Sequence, residues 1–534
     1  MVVGRSTAAC GCSDGAGDRV IRLGRCRSVA LVGVQGTVVD IDVHIGGMPG
    51  FSLVGLPDTA LNEARDRVRA AVLSSGESWP LQKITVSLSP ASLPKRGSHF
   101  DLGVAVGILG AAGDVPASAT DGVVFLGELA LDGRLRAVPG VLPAVLAAWR
   151  AGMRRIVVAE QNAEEARQIP DVTVVGAWSL RHVLAFLRGV EIPDDEPEPP
   201  AGCAELGPSE PPRDPGLDLA DVAGQEAAKV AVEMAAAGHH HVKLEGPPGA
   251  GKTMLARRLP GLLPDLSTEE SLDVTAIHSV AAVLPADRPL IERPPFADPH
   301  HSASAVSIIG GGGQTVRPGA ASLAHRGVLF LDEAPEFSRH VLDGLREPLE
   351  NGRIVVSRAK ATAVFPASFL LVLAQNPCMC GNHGERQRQC ECTPHAVRRY
   401  RQRISGPVRD RIDVNKQVPA PSIADLGAAV NGNERSAAVA ERVASARERQ
   451  ARRLAGTPWR VNGEVPVMHL RREFPLPADV AGPVYKQLRA GTVTARGADR
   501  ILRLAWTVAD VAGHDRPTRD DVLQAIELRT GESS

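Results

Sequence analysis

The sequence predicts a multidomain α/β protein: a mixed α/β unit comes first, then an α/β core with a parallel sheet, then a helical C-terminal part. Three observations support this fold class. The chain of 534 residues is too long for one hydrophobic core, because domains commonly contain about 150 residues. A phosphate-binding pattern, G-x-x-x-x-G-K-[ST], stands at residues 246–253. Residues 189–216 are proline-rich and acidic without apolar periodicity, which predicts a linker.

The first unit spans residues 23–188, where short β-branched runs alternate with helical stretches. We expect strands at 30–34, 37–43 and 83–88, and helices near 58–74 and 141–151. Residues 1–22 precede this pattern and predict a disordered N-terminal extension.

Net charge gives no global attraction to nucleic acid or membrane. The 60 Lys and Arg residues nearly cancel the 61 Asp and Glu residues, so polyanion binding would need a local patch. No run of about 18 apolar residues occurs, and residues 1–27 contain glycines and charges where a signal peptide has an apolar core. We therefore expect a cytoplasmic protein that does not bind membranes.

The phosphate-binding pattern predicts a site for ATP and Mg²⁺. It follows the apolar run 241–245 and leads into helical residues 254–259, so its glycines fall on a strand-to-helix turn. Lys252 would reach the β- and γ-phosphates, and the Thr253 hydroxyl would bind Mg²⁺. The predicted nucleotide-binding residues are Gly246, Pro247, Pro248, Gly249, Ala250, Gly251, Lys252, Thr253 and Asp332.

Two acids follow the apolar strand at 327–331. Asp332 would hold Mg²⁺, and Glu333 would act as general base on the attacking water. A later strand at 369–374 ends close to Asn376, whose amide could orient that water, although asparagine before proline is also typical of turns.

Residues 217–420 therefore predict a nucleotide-binding core. The chain beyond this core is alanine- and arginine-rich, with helical periodicity at 437–454 and 499–511. Residues 421–534 predict a helical lid.

The order of these motifs resembles the magnesium-chelatase branch of AAA+ ATPases, and within it the ComM/YifB family. The resemblance rests on 246–253, 328–333, Asn376 and 409–413, and it extends from about Leu23 to about Leu528. It implies a P-loop AAA+ core that binds ATP between the subunits of a ring, commonly a hexamer.

The resemblance also implies roles for individual residues. Asn376 would be sensor 1, and Arg411 would be an arginine finger that reaches into a neighbour's site. Arg496 matches the sensor-2 position, while Arg500 and Arg503 lie one and two helical turns further on and stay open as alternatives.

A hairpin with a basic tip is predicted at 350–366, with Arg358 and Lys360 near its turn. Resemblance to related AAA+ helicases places such a hairpin in the ring's pore. There the repeated cations would contact the backbone of single-stranded or branched DNA. A solvated hairpin without a ligand is the alternative, and with 3% aromatic residues base stacking would contribute little.

Four cysteines at 378–392 form two C-x-C pairs, which predicts a Zn²⁺ site, although the one-residue spacing is shorter than in common zinc knuckles. The predicted ligands are Cys378, Cys380, Cys390 and Cys392. A redox pair and unligated thiols are the alternatives.

The first unit resembles the Lon-protease-like (S5-like) domain of this family. Lon uses a serine and a lysine, but here His99 stands at the serine position, with Ser98 one residue away, and Leu142 stands at the lysine position. A serine without that base is a weak nucleophile, so we expect no peptidase activity.

These features predict a ring-forming ATPase that moves along DNA and resembles a ComM-type branch-migration helicase in DNA recombination. Two other functions stay open. One is a magnesium-chelatase motor for metal insertion into a tetrapyrrole, and the other is a protein-remodelling ATPase.

Overall fold

The computed structural model describes residues 22–55, 63–95, 97–192, 216–285, 288–312, 316–358, 361–384, 389–422 and 433–531. Lys360, most of the predicted linker and all but one residue of the predicted N-terminal extension lie outside the described residues. Among the helices of the described ranges, none is long and apolar enough to cross a bilayer.

The first unit is built on a seven-stranded mixed sheet in the order β3-β4-β2-β1-β5-β8-β9. β1 runs antiparallel to β2 and parallel to β5, so the sheet changes from antiparallel to parallel pairing at β1. Its strands are β1 (Arg22–Val32), β2 (Gln35–Ile45), β3 (Phe51–Val54), β4 (Ile84–Ser89), β5 (Val123–Leu126), β8 (Arg155–Ala159) and β9 (Thr173–Ala177), with a small ribbon of β6 (Glu128–Leu129) and β7 (Leu135–Arg136) beside it.

Helices cover both faces of this sheet. Ile41 and Val43 pack under one helix, and Val29 and Val124 pack under helices on the other face. The helices are α1 (Ala64–Ser74), α2 (Asp101–Ala112), α3 (Ala117–Thr120), α4 (Val141–Arg150), α5 (Ala163–Ala166) and α6 (Leu180–Arg188).

The strand predicted at 30–34 exists but ends two residues earlier, because β1 ends at Val32 and the chain turns at Gly33. Gly33 has φ +64°, a conformation that glycine adopts at low cost and that suits a two-residue hairpin turn. Two 11-residue strands flank this turn.

The second unit contains a fully parallel five-stranded sheet in the order β11-β14-β17-β10-β18. Val328 and Phe330 face one side and Leu329 and Leu331 the other, so this central strand is buried on both faces, as expected in a parallel sheet. The strands are β10 (Val242–Glu245), β11 (Phe296–Ala297), β14 (Val328–Leu331), β17 (Leu370–Gln375) and β18 (Val414–Gln417).

Two antiparallel ribbons project from the second unit: β12 (Gly310–Gly311) with β13 (Arg317–Pro318), and β15 (Arg353–Arg358) with β16 (Ala361–Pro366). The second ribbon is the predicted hairpin. The helices of this unit are α7 (Glu226–Gly238), α8 (Lys252–Arg258), α9 (Thr268–Ala281), α10 (Ala305–Ile309), α11 (Ala320–Leu323), α12 (Arg339–Gly344), α13 (Arg346–Asn351), α14 (Pro394–Arg401) and α15 (Gly406–Arg409).

The elements of regular structure described after residue 433 are helices. Val443 and Ile501 belong to the same hydrophobic cluster as Val242 of the parallel sheet, so these helices pack directly on the core. They are α16 (Ser436–Arg453), α17 (Val467–Glu473), α18 (Ala478–Arg489), α19 (Ala495–Ala512) and α20 (Arg519–Thr530).

The first and second units share an interface at α9. The Gly140 N–H donates to the Ser279 carbonyl at 3.1 Å, and the Ser279 hydroxyl bonds to the carboxylate of Glu165. Ala276 of α9 is buried in the hydrophobic cluster of the first unit. The turn at Gly33 approaches β16, because a Cβ added there would lie 2.8 Å from the Val364 carbonyl oxygen.

Candidate nucleotide site

The phosphate loop lies between β10 and α8, at the carboxyl edge of the parallel sheet. Gly246 follows Glu245 directly, and a Cβ added there would lie 2.0 Å from the Val418 carbonyl oxygen. A side chain at this position would force the start of the loop away from β18. The first N–H groups of α8 lack partners within the helix, so they remain available to phosphate.

Lys252 points back over this loop. Its Nζ donates to the carbonyls of Gly246 (2.6 Å) and Pro247 (2.9 Å) and to Asn376 Oδ1 (3.1 Å). Burial lowers the pKa of Lys252, although the nearby carboxylates of Asp332 and Glu333 oppose that shift. The ammonium is thus positioned where phosphate oxygens would replace the carbonyl contacts.

Thr253 and Asp332 meet beside the loop. The Thr253 hydroxyl donates to Asp332 Oδ2 at 2.9 Å, and Asp332 Oδ1 accepts from the Glu333 N–H at 2.9 Å. A hydroxyl and a carboxylate are hard oxygen ligands of the kind that Mg²⁺ prefers. The residues present therefore fit a magnesium ion at this point.

Glu333 stands at the end of β14 with φ +49°, and its side chain is half exposed. Its Oε2 lies 3.3 Å from Nδ1 of His301. His301 follows β11, the strand that pairs with β14, so neighbouring strands bring the two side chains together. From the sequence alone, no role was assigned to His301. Its position shortly after β11, the strand beside β14, could have indicated that its side chain lies near Glu333.

Gln225 is a second residue that sequence reasoning missed. Its side-chain amide donates to the carbonyl of Ala250 at 3.2 Å and also to that of Pro419. It connects the start of α7 to the phosphate loop and to the segment after β18. No periodicity signals such a contact, because Gln225 lies outside regular structure with φ +63°.

Asn376 follows β17 and contacts the Lys252 ammonium, as described above. Tyr400 of α14 shares a hydrogen bond with the Asn376 backbone, and burial raises the pKa of the Tyr400 phenol to about 12. Both contacts fix the predicted sensor-1 residue against the phosphate loop.

Arg411 and Arg496 lie elsewhere. Both line a cavity of about 780 Å³, and none of residues 246–253 lines it. The Arg411 guanidinium donates to the Glu350 carboxylate of the same chain and is 12% exposed. Arg496 is exposed and makes no hydrogen bond or ion pair with the described residues.

Arg500 and Arg503, the two alternatives to Arg496, form hydrogen bonds with other residues of the same chain. Arg500 is ion-paired with Asp413 and donates to the Arg411 carbonyl at 3.0 Å, while Arg503 donates to the Gly463 carbonyl at 2.8 Å. Burial alone would raise the pKa of Asp413, yet the Arg500 charge and the His240 contact hold it well below its usual range. These contacts favour Arg496 as the arginine that is available to a ligand.

The basic hairpin of β15 and β16 contacts the ribbon of β12 and β13. Arg358 is exposed, and its guanidinium donates to the Gly312 carbonyl at 2.9 Å. The sequence has four consecutive glycines at 310–313, and the last of them, Gly313, lies outside the described residues. The structure thus brings together the two segments that flank the acidic strand in sequence.

The four predicted metal ligands converge. Their sulfur atoms all lie within 4.8 Å of one another, in the segment between β17 and α14. Cys378 is buried and the other three are partly exposed.

The residues that the resemblance to Lon places at the serine and lysine positions have other contacts in this structure. Ser98 is hydrogen-bonded to the Glu128 carboxylate, His99 Nε2 lies 2.9 Å from the Val29 carbonyl oxygen, and Leu142 is fully buried. An apolar side chain cannot serve as the base, which supports the expectation of no peptidase activity.

Comparisons with known proteins agree with this architecture. Residues 218–426 match the family described as magnesium chelatase, subunit ChlI, residues 39–162 match the family described as subunit ChlI of Mg-chelatase, and residues 433–529 match the C-terminal family of the same subunit. The chain is 41% identical to YifB of Escherichia coli over 94% of its length and 96% of that protein. It is 41% identical to the competence protein ComM of Haemophilus influenzae, with the same two coverages, and 47% identical to an uncharacterized protein of Mycobacterium tuberculosis over 95% and 98%.

Proposed function

The chain belongs to the magnesium-chelatase-like ComM/YifB family of AAA+ ATPases, and from this premise we propose that it forms a ring that couples ATP hydrolysis to movement along DNA. One observation carries the ATPase part of this proposal. Lys252, Thr253, Asp332, Glu333 and Asn376, which come from three segments of the sequence, converge on one phosphate loop.

Each of these residues has a chemical task in phosphoryl transfer. Lys252 would bind the β- and γ-phosphates, and Thr253 with Asp332 would hold Mg²⁺, which would supply positive charge to those phosphates. Glu333 takes a proton from the attacking water, and Asn376 orients that water. His301 holds the Glu333 carboxylate in place.

The site is completed by a neighbouring subunit. Arg411 and Arg496 share a cavity apart from their own phosphate loop, which supports a role toward the nucleotide of the next subunit in a ring, commonly a hexamer. Arg411 must leave Glu350 to reach that nucleotide, so the Glu350 contact is the resting position of the finger.

We propose the same domain boundaries that the sequence predicts. Residues 23–188 serve as a Lon-protease-like domain without peptidase activity, 189–216 as a linker, 217–420 as the AAA+ core and 421–534 as a helical lid. The contact of Glu165 with Ser279 supports a role of the first domain in positioning α9 of the core.

DNA binding is assigned to the hairpin. Arg358 is exposed near its tip, and a ring would repeat this cation around a central opening. Such cations contact phosphates regardless of base sequence, and their contribution falls as salt rises.

The test combines ATPase and DNA assays. ATP hydrolysis is measured with no DNA, single-stranded DNA, duplex and a four-way junction, and junction unwinding is measured in parallel. The wild-type chain should be stimulated by single-stranded or branched DNA, and Glu333→Gln should bind DNA without unwinding it. Arg358→Ala should weaken DNA binding, whereas Arg353→Ala, an exposed arginine at the base of the same hairpin, should not.

Other outcomes would assign the ring to a different substrate. Stimulation by unfolded protein but by none of the DNA forms would indicate protein remodelling. Metal insertion into a tetrapyrrole with the other chelatase subunits present would indicate a chelatase motor. Absence of DNA stimulation together with absence of unwinding would reject the helicase proposal.

A further inference from the structure

The four-cysteine loop has the geometry of a tetrahedral thiolate site. The sulfur of Cys390 lies 3.7 Å from that of Cys378 and 3.7 Å from that of Cys380, and the last two are 3.3 Å apart. A tetrahedron with Zn–S bonds of about 2.3 Å has S···S edges of about 3.8 Å, while a disulfide requires about 2.05 Å. The spacing therefore fits a shared metal ion and not a disulfide.

The loop also lies against the phosphate loop. Gly381 packs so closely that an added Cβ would be 2.5 Å from Cδ of Pro248, the third residue of the phosphate-binding pattern. Cys378 follows Asn376 by two residues, so one end of the cysteine loop continues directly from the residue that contacts Lys252.

The other end of the loop is anchored to the same site. Cys392 precedes α14, whose Arg401 donates to Glu245 Oε1 at 2.9 Å and to the Pro377 carbonyl at 3.2 Å. Glu245 is buried at the end of β10, immediately before Gly246. A crosslink between the two ends of the loop would therefore fix Pro248, Asn376 and the base of the phosphate loop relative to one another.

We propose that Cys378, Cys380, Cys390 and Cys392 bind one Zn²⁺ ion, and that this ion stiffens the ATP site through the contact between Gly381 and Pro248. The ion has a structural role, because four thiolates fill a tetrahedral zinc site and leave no open position for a substrate. The part that concerns ATP affinity rests on the proposed nucleotide site, whereas zinc binding does not.

A matched pair of glycine variants tests the contact between Gly381 and Pro248 without changing the metal ligands. Gly381 and Gly384 have φ +81° and +86°, so alanine introduces similar backbone strain at both. An added Cβ meets Pro248 at Gly381, whereas at Gly384 it would have no described residue within 4 Å. Both variants keep all four cysteines.

The experiment measures zinc content by mass spectrometry and the dissociation constant of a fluorescent ATP analogue on the full chain. We expect one zinc per wild-type chain, loss of zinc in Cys380→Ser and Cys392→Ser, and at least about tenfold weaker nucleotide binding in Gly381→Ala than in Gly384→Ala. If the cysteine variants fail to fold, zinc is removed from the wild-type chain with a chelator, which should weaken nucleotide binding until Zn²⁺ is added back.

Two results would overturn the inference: a wild-type chain without zinc after purification and Zn²⁺ addition, or equal nucleotide affinity in the two glycine variants. Neither of these two results would be produced by failure of the proposed DNA function alone. A chain that binds zinc and ATP as expected but responds to no DNA form contradicts only the helicase proposal.

Discussion

Nδ1 of His301 lies 3.3 Å from Oε2 of Glu333, so the predicted general base has an imidazole partner from the turn that follows the neighbouring strand. The contact restrains a half-exposed carboxylate that would otherwise rotate freely. We predict that His301→Ala lowers kcat for ATP hydrolysis about tenfold and leaves KM nearly unchanged, because positioning of the base matters in the chemical step and not in nucleotide binding. Steady-state kinetics at saturating DNA checks this.

His300→Ala is the matched control for that variant. His300 is the adjacent residue, but its Nδ1 faces the hydroxyl of Ser302 at 2.8 Å and not Glu333. We expect wild-type kcat. Equal losses in the two histidine variants would show that the segment matters for folding and that the Glu333 contact has no separate role.

The proposal that neighbouring subunits share each nucleotide site predicts that two inactive variants restore each other. Arg411→Ala lacks the proposed finger, and Glu333→Gln lacks the proposed base, so each alone should lose at least about 10²-fold in rate. In a ring mixed at equal ratio, about a quarter of the interfaces combine an intact base with an intact finger. ATPase activity should therefore rise to about a quarter of the wild-type rate.

That result requires Arg411 to act on a neighbour. If the mixture stays as inactive as its components while the variants still assemble, Arg411 acts within its own chain or not at all. Size measurement in the presence of ATP establishes that the mixed subunits exchange into common rings.

Arg496 and Arg500 should respond differently to removal, although both lie on α19. Arg496→Ala should reduce ATP hydrolysis strongly without lowering the melting temperature, because its side chain is exposed and makes no hydrogen bond or ion pair with the described residues. Arg500→Ala should destabilise the fold by about 3 kcal/mol, because Asp413 then keeps a buried charge without its ion-pair partner. Thermal unfolding and ATPase assays on both variants separate the two roles.

The sequence predicted which residues meet at the candidate nucleotide site more completely than it predicted their surroundings. The observed strands Val328–Leu331 and Leu370–Gln375 begin and end within one residue of the predicted bounds. The agreement is close because continuous apolar runs define both strands. Lys252, Asp332 and Asn376 converge as their motifs indicate, since the carboxyl ends of parallel strands meet at one edge of the sheet.

Contacts between distant segments could not be predicted in the same way. The partners of Glu333 and Arg411, which are His301 and Glu350, depend on how a loop and a short helix pack. Local periodicity carries no information about such packing. The turn between the first two strands was also expected too late, at residues 35–36 instead of at Gly33, because the β-branched Val34 extends the apparent first strand.

His325 predicts acid sensitivity of the nucleotide-binding core. The residue is buried, its Nδ1 accepts a hydrogen bond from the Ser368 N–H at 3.0 Å, and burial lowers its pKa from 6.5 to about 3. Below about pH 6.5 the unfolded chain binds a proton at this residue that the folded chain does not, so stability is lost as pH falls from 6.5 toward 3. Between about pH 7.5 and about pH 5.5 the loss from this residue should be about 1.4 kcal/mol.

His325→Asn keeps an acceptor for the Ser368 N–H but does not titrate, so it should remove that part of the pH dependence. Urea unfolding of the transition that ATP stabilises, measured at both pH values, gives the difference directly. His340→Asn, at an exposed histidine of the same unit, should leave the pH dependence as in the wild type. If His325→Asn retains the full loss of stability at low pH, then His325 is protonated in the folded chain and its burial does not govern the acid response.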